Sequence, residues 1–84
     1  MEGIQMAEKE FQLTINAPDI EPKYRHPFIF ESFDNLASGE FMELQNDHDP
    51  RPLRYQFMQE RTDTFIWEYL EEGPDIWRVS ICKI

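Results

Sequence analysis

The chain has 84 residues and a mass of 10.2 kDa, with 17 acidic against eight basic side chains, a net charge of −9 and a pI near 4.5. That balance excludes an ordinary nucleic-acid binder, because phosphate contacts need clustered Lys and Arg to release counterions, and it disfavours docking on an anionic membrane surface. Forty per cent apolar residues, with seven Phe, three Tyr and two Trp, exclude a disordered chain, and a lone cysteine, Cys82, excludes an internal disulfide framework or an all-cysteine zinc site.

A domain this small buries only about 60% of its unfolded surface, so the aromatic rings are read as a compact core. The alternative use of some rings is to line a ligand pocket or a partner face. No apolar run approaches the roughly 20 residues of a membrane span. The N-terminus has neither the basic nor the apolar region of a secretory signal, so the expected location is cytoplasmic.

Residues 1–10 carry no trustworthy period and are read as a frayed N-terminus, leaving 11–84 as a single domain. Phe11-Gln12-Leu13-Thr14-Ile15 alternates apolar and polar, which predicts a strand with Phe11, Leu13 and Ile15 on one face. Pro18 and Pro22 then hold an extended loop. A first helix is expected from Pro27, since proline suits the first helical position. Ile29, Phe30, Phe33, Leu36 and Ala37 recur along it at helical spacing, and Gly39 closes it as a C-terminal cap.

Phe41–Gln45 reads as a second strand with Met42 and Leu44 on one face. Asp49 before Pro50 reads as an N-cap opening a second helix with Leu53 and Phe57 buried. Phe65–Leu70 and Ile76–Ile81 form an antiparallel hairpin, with Trp77, Val79 and Ile81 on one face. The order β-α-β-α-β-β predicts a two-layer α/β sandwich: a mixed four-stranded sheet with both helices on one face.

If the first two strands are parallel, both helices start at the carboxyl edge of the sheet, where open α/β sheets bind ligands. Lys23, Arg25, His26, Asp47, His48, Asp49, Arg51 and Arg54 all fall there, including both histidines and four of the eight basic residues. Three readings stay open. In the first, these residues only cap helices and pair with acids. In the second, Arg25, His26, His48, Asp49, Arg51 and Arg54 form an anion or acyl-group site, helped by the free N–H groups of the helix ends. In the third, His26, His48 and a nearby carboxylate, Asp47 or else Asp49, bind a metal ion, since two imidazoles and a carboxylate suit zinc or iron.

Catalytic constellations are thin. No serine stands in a nucleophile elbow and three glycines supply no phosphate loop, so an enzyme is not expected. Glu68, Glu71, Glu72 and Asp75 read as a solvated hairpin end, or alternatively as a docking patch for a basic partner.

The runs Arg25-His26-Pro27-Phe28-Ile29-Phe30, Asn46-Asp47-His48-Asp49-Pro50-Arg51-Pro52-Leu53 and Trp67-Glu68-Tyr69-Leu70-Glu71-Glu72-Gly73-Pro74 resemble a family of small bacterial and archaeal proteins known only as a domain of unknown function. The second run is its most specific mark. That family is similar in fold to the TusA/SirA sulfur carriers, which implies the same sandwich. It also implies a partner among hemerythrin-like or cupin-type redox proteins. The sulfur carriers' Cys-Pro-x-Pro motif has no counterpart: its cysteine would fall near Pro22, and Cys82 lies in the last strand. Persulfide relay by that mechanism is therefore not expected.

Overall fold

A computed structural model describes residues 10–84, so the reading of a frayed N-terminus falls almost wholly outside the described residues. The chain forms β1 (Phe11–Asn16), a 3-10 turn (Ala17–Asp19), α1 (Pro22–Asp34), β2 (Phe41–Asn46), α2 (Arg51–Glu60), β3 (Phe65–Glu72) and β4 (Trp77–Lys83). The sheet order is β1-β2-β4-β3, with β1 and β2 parallel and β4 antiparallel to both β2 and β3. This is the expected mixed sheet with two helices. The return from β2 through α2 passes over the site of β4, and the hairpin then fills the gap.

The register explains why one face of the sheet is covered. Leu13 pairs with Met42, Met42 with Ile81 and Ile81 with Trp67; one step along, Ile15, Leu44, Val79 and Tyr69 form a second row. Side chains alternate along a strand, so both rows project to the same side. Ile29, Phe30 and Phe33 of α1 and Leu53 and Phe57 of α2 join these rows in a single cluster. Phe57 is its centre: it is fully buried, stacks on Phe30 at 4.4 Å and meets Phe33, Phe65 and Trp67 edge-on at 5.2 to 5.9 Å. Such pairs add about 0.5–1.5 kcal/mol each beyond area burial.

The opposite face carries the row Thr14, Glu43, Ser80 and Glu68. Glu43 is only 6% exposed there, yet charged. Burial pushes its carboxyl up, but hydrogen bonds from Arg78 Nε at 2.7 Å and Gln45 Nε2 at 3.0 Å outweigh this and hold it below the ordinary carboxylate range.

Three local expectations are corrected. Helix α1 starts at Pro22, five residues before Pro27. Both prolines suit a first turn, and Pro22 takes that position, with the Tyr24 N–H bonding the Glu21 carbonyl at 2.9 Å. Pro27 lies inside the helix, where it costs one backbone hydrogen bond. Lys23, Arg25 and His26 therefore ride on the first turns of α1 rather than on a loop before it. Gly39 does not cap α1, which ends at Asp34 with Asn35 as C-cap. Gly39 instead takes φ +87° in a turn where the Glu40 N–H bonds the Ala37 carbonyl at 3.0 Å.

Asp49 does not cap α2 with its side chain either. The N-cap is Pro50, whose carbonyl accepts from the Arg54 N–H at 3.1 Å; Asp49, one residue earlier, gives the first turn only its backbone carbonyl, which accepts from the Arg51 N–H at 2.8 Å. At the far end the two helices are tied by a bidentate ion pair, Arg61 Nε and Nη2 donating to the two oxygens of Asp34 at 2.8 Å. That hydrogen-bonded pairing holds the Asp34 carboxyl below the ordinary range and raises Arg61.

Candidate functional site

Because β1 and β2 are parallel, α1 and α2 do begin at one edge of the sheet. The expected site residues gather there, but the first turns of α2 divide them between two depressions.

The first is a small cleft of about 50 Å³ between α1 and the β2–α2 connection, lined by Arg25, His26, His48, Asn46, Pro50 and Leu53 among others. Arg25 Nη2 donates to the Ile20 carbonyl at 2.9 Å, which clamps the guanidinium against the end of the loop preceding α1. Its Nε is buried without a hydrogen-bond partner among the described residues. A buried donor left unpaired costs about 1–3 kcal/mol, so this nitrogen is short of an acceptor.

His26 reaches across to α2, where Nδ1 lies 2.9 Å from Gln56 Oε1. The Gln56 amide nitrogen donates to Glu60 at 3.1 Å, which presents the oxygen to the ring and makes His26 Nδ1 the donor. His26 Nε2 is then the ring nitrogen left for another partner. His48 is more exposed and donates through Nδ1 to Asp47 at 2.6 Å. The bond from His48 holds the Asp47 carboxyl below its ordinary range.

The metal set does not assemble as three converging ligands. Among the described residues no group of three or more His, Cys, Asp and Glu stands where it could hold a metal ion. Asp47 and His48 are each other's partners, and His26 is engaged with Gln56.

The second depression is a groove of about 610 Å³ on the other side of α2. Arg51, Arg54, Tyr55 and Met58 form its helix wall, and Tyr69, Glu72 and Trp77 its strand wall, with Asp49 at the junction. The helix residues follow the spacing i, i+3, i+4, i+7, which is one face of α2. Tyr69 and Trp77 meet edge-to-face at 6.2 Å. Asp49 is fully used: Oδ1 accepts from the Tyr69 hydroxyl at 2.7 Å and Oδ2 from Arg51 at 3.3 Å. Burial, and then the bond to Asp49, push the Tyr69 hydroxyl above its ordinary pKa. The indole of Trp77 packs on Gly73, where an added Cβ would lie 2.8 Å from Cε2.

Arg25, His26 and His48 are thus brought together, and Asp49, Arg51 and Arg54 are brought together apart from them. Tyr69 and Trp77 of the groove, and Gln56, which holds His26, are residues that the sequence did not mark for a site, and Glu72 was marked only for the hairpin end. The helical spacing of Arg51, Arg54, Tyr55 and Met58 is a usable signal for one wall. The strand wall carries no such signal, because it depends on which strand lies beside β4.

The family model for an uncharacterized conserved protein, DUF2249, matches residues 14–83, and the chain belongs to that family. No curated protein and no solved structure matches the chain.

Proposed function

We propose that this DUF2249 chain is a small, non-catalytic binding module that takes a compact anion in the cleft between the first turns of α1 and α2. The observation that carries the reading is the convergence of Arg25, His26 and His48 on one cleft, with Arg25 Nε buried and unpaired, in a chain of net charge −9. A cleft of about 50 Å³ suits a phosphate- or sulfate-sized ion rather than a larger acyl compound. Arg25 supplies the fixed charge; the neutral His26 and His48 rings spend their one N–H on Gln56 and Asp47, so either ring donates to an anion through Nε2 only in its imidazolium form.

The sheet order and element order support a sulfur-carrier-like fold used without the carrier cysteine. We read the setting as cytoplasmic, and the family resemblance supports a partner among hemerythrin-like or cupin-type redox proteins. Among the described residues no helix is long and apolar enough to cross a membrane.

Amide and imidazole NMR of the protein titrated with phosphate, sulfate and zinc tests the reading. Phosphate or sulfate should shift Arg25, His26 and His48 saturably, and Arg25→Met should weaken the effect about tenfold, the scale of one charge-assisted hydrogen bond. Unmoved resonances at all three residues under millimolar anion would end it, and a stoichiometric zinc response there would replace the anion with a metal.

A further inference from the structure

We propose that the groove on the other side of α2 is a second, independent site, and that it binds a small molecule joining a flat aromatic ring to an anionic group. Three observations converge on that chemistry. The volume, about 610 Å³, lies within the range of small-molecule sites, roughly 300–1,000 Å³. Tyr55, Tyr69 and Trp77 supply aromatic faces from both walls, and Tyr55 is 59% exposed on a helix surface where no packing demand explains a ring. Arg51 and Arg54 stand three residues apart on the first turn of α2, where the helix dipole also favours negative charge.

The charges of the groove give the ligand a direction. Asp49 accepts from the Tyr69 hydroxyl and pairs with Arg51, so it is a fixed part of the wall. The Arg54 side chain has no hydrogen bond or ion pair among the described residues and is the free cation of the groove. Glu72, on the strand wall, repels an anion and accepts from a donor. A ligand therefore lays its ring on the tyrosines and tryptophan, turns its anionic end toward Arg54, and is favoured if it carries an amino or hydroxyl group toward Glu72. An aromatic phosphate and an aromatic carboxylate share this chemistry.

The full chain is titrated with AMP, indole-3-acetate, adenosine and inorganic phosphate while the Trp77 indole N–H and the Tyr55 and Arg54 amides are followed by NMR. AMP, indole-3-acetate or both should shift these resonances saturably. Adenosine and phosphate alone should bind at least about tenfold more weakly, since each lacks one half of the recognition. A response to AMP only assigns the anionic group as phosphate, and a response to indole-3-acetate only assigns it as carboxylate. Arg54→Met and Tyr55→Ala, both at exposed positions, should each weaken binding about tenfold with the melting temperature retained. The proposal is overturned if neither ring-bearing anion gives saturable shifts at millimolar concentration, or if phosphate alone binds as well as AMP. It is also overturned if the shifts centre on Arg25, His26 and His48, which would assign the ligand to the other cleft.

Discussion

The cleft and the groove share one wall and differ in almost everything else. Both are bounded by α2, which turns Leu53 toward α1 and its Arg51–Arg54–Tyr55–Met58 face toward the β3–β4 hairpin. The cleft is narrow because its other wall is a helix: α1 is drawn in by the buried Ile29 and bridged to α2 by His26 and Gln56. The groove is wide because its other wall is the end of a hairpin, whose Tyr69 and Trp77 meet edge-to-face along it without filling the space beside α2. Helix against helix thus leaves room for a small ion with fixed donors, and helix against strand end leaves room for a ring. One helix start serves two chemistries because successive side chains leave it about 100° apart.

The largest way to break this pairing is to remove the shared support. Phe57→Ala takes out the ring at the centre of the aromatic cluster beneath α2. The expected cost is about 3–5 kcal/mol, a large part of the stability of a domain this size. Chemical denaturation should show a large fall in midpoint, and the resonances of both depressions should lose dispersion together. If only one depression responds, α2 is not their common support.

A smaller change should separate them. Gly73 has φ +69°, and a Cβ there runs into the Trp77 indole. Gly73→Ala is expected to cost about 1–3 kcal/mol from left-handed backbone strain and the displaced ring. Thermal unfolding reads the cost. The Trp77 indole N–H should shift and the groove lose its ligand response, while the anion response at Arg25 and His26 stays. Loss of both responses would show that the two regions are mechanically coupled.

The smallest effect should touch neither region. Asp34 and Glu43 both have carboxyl pKa values lowered in the native state, Asp34 chiefly by its hydrogen bond to Arg61 and Glu43 by Arg78 and Gln45 against the opposing effect of burial. A lowered native pKa means stability that is fully present above the unfolded carboxylate pKa and lost as pH falls through the native one. The expected loss on acidification is on the order of 1 kcal/mol, limited by the half-exposed Asp34 and the solvent-exposed side of Arg78. Urea midpoints between neutral pH and pH 3 measure it. Glu43→Gln should flatten the dependence, and an unchanged slope in that variant would remove Glu43 from the account.

Much of the architecture was legible from periodicity. The alternation of Leu13 and Ile15, of Met42 and Leu44, and of Val79 and Ile81 marks the covered face of the sheet, and Ile29, Phe30, Phe33, Leu53 and Phe57 mark the helix faces that cover it. The edge that gathers Arg25, His26 and His48 was also legible, since two strand–helix–strand units place both helix starts together. The starting point of α1 was not, because Pro22 and Pro27 are equally good first-turn residues and only the packed chain chooses between them. The role of Asp49 was not legible either. A carboxylate before a proline reads locally as a cap, but the residue that claims it is Tyr69, twenty positions away.

The sequence by itself determined the elements, the class of fold and the local excess of basic and histidine residues in an acidic chain, because these follow from side-chain period and short-range backbone preference. Only the tertiary structure decided that this excess divides into two places and that aromatic rings complete one of them. The division depends on the angle at which each side chain leaves α2, and the completion depends on β4 inserting between β2 and β3. Both are set by long-range packing, which no local stretch of residues encodes.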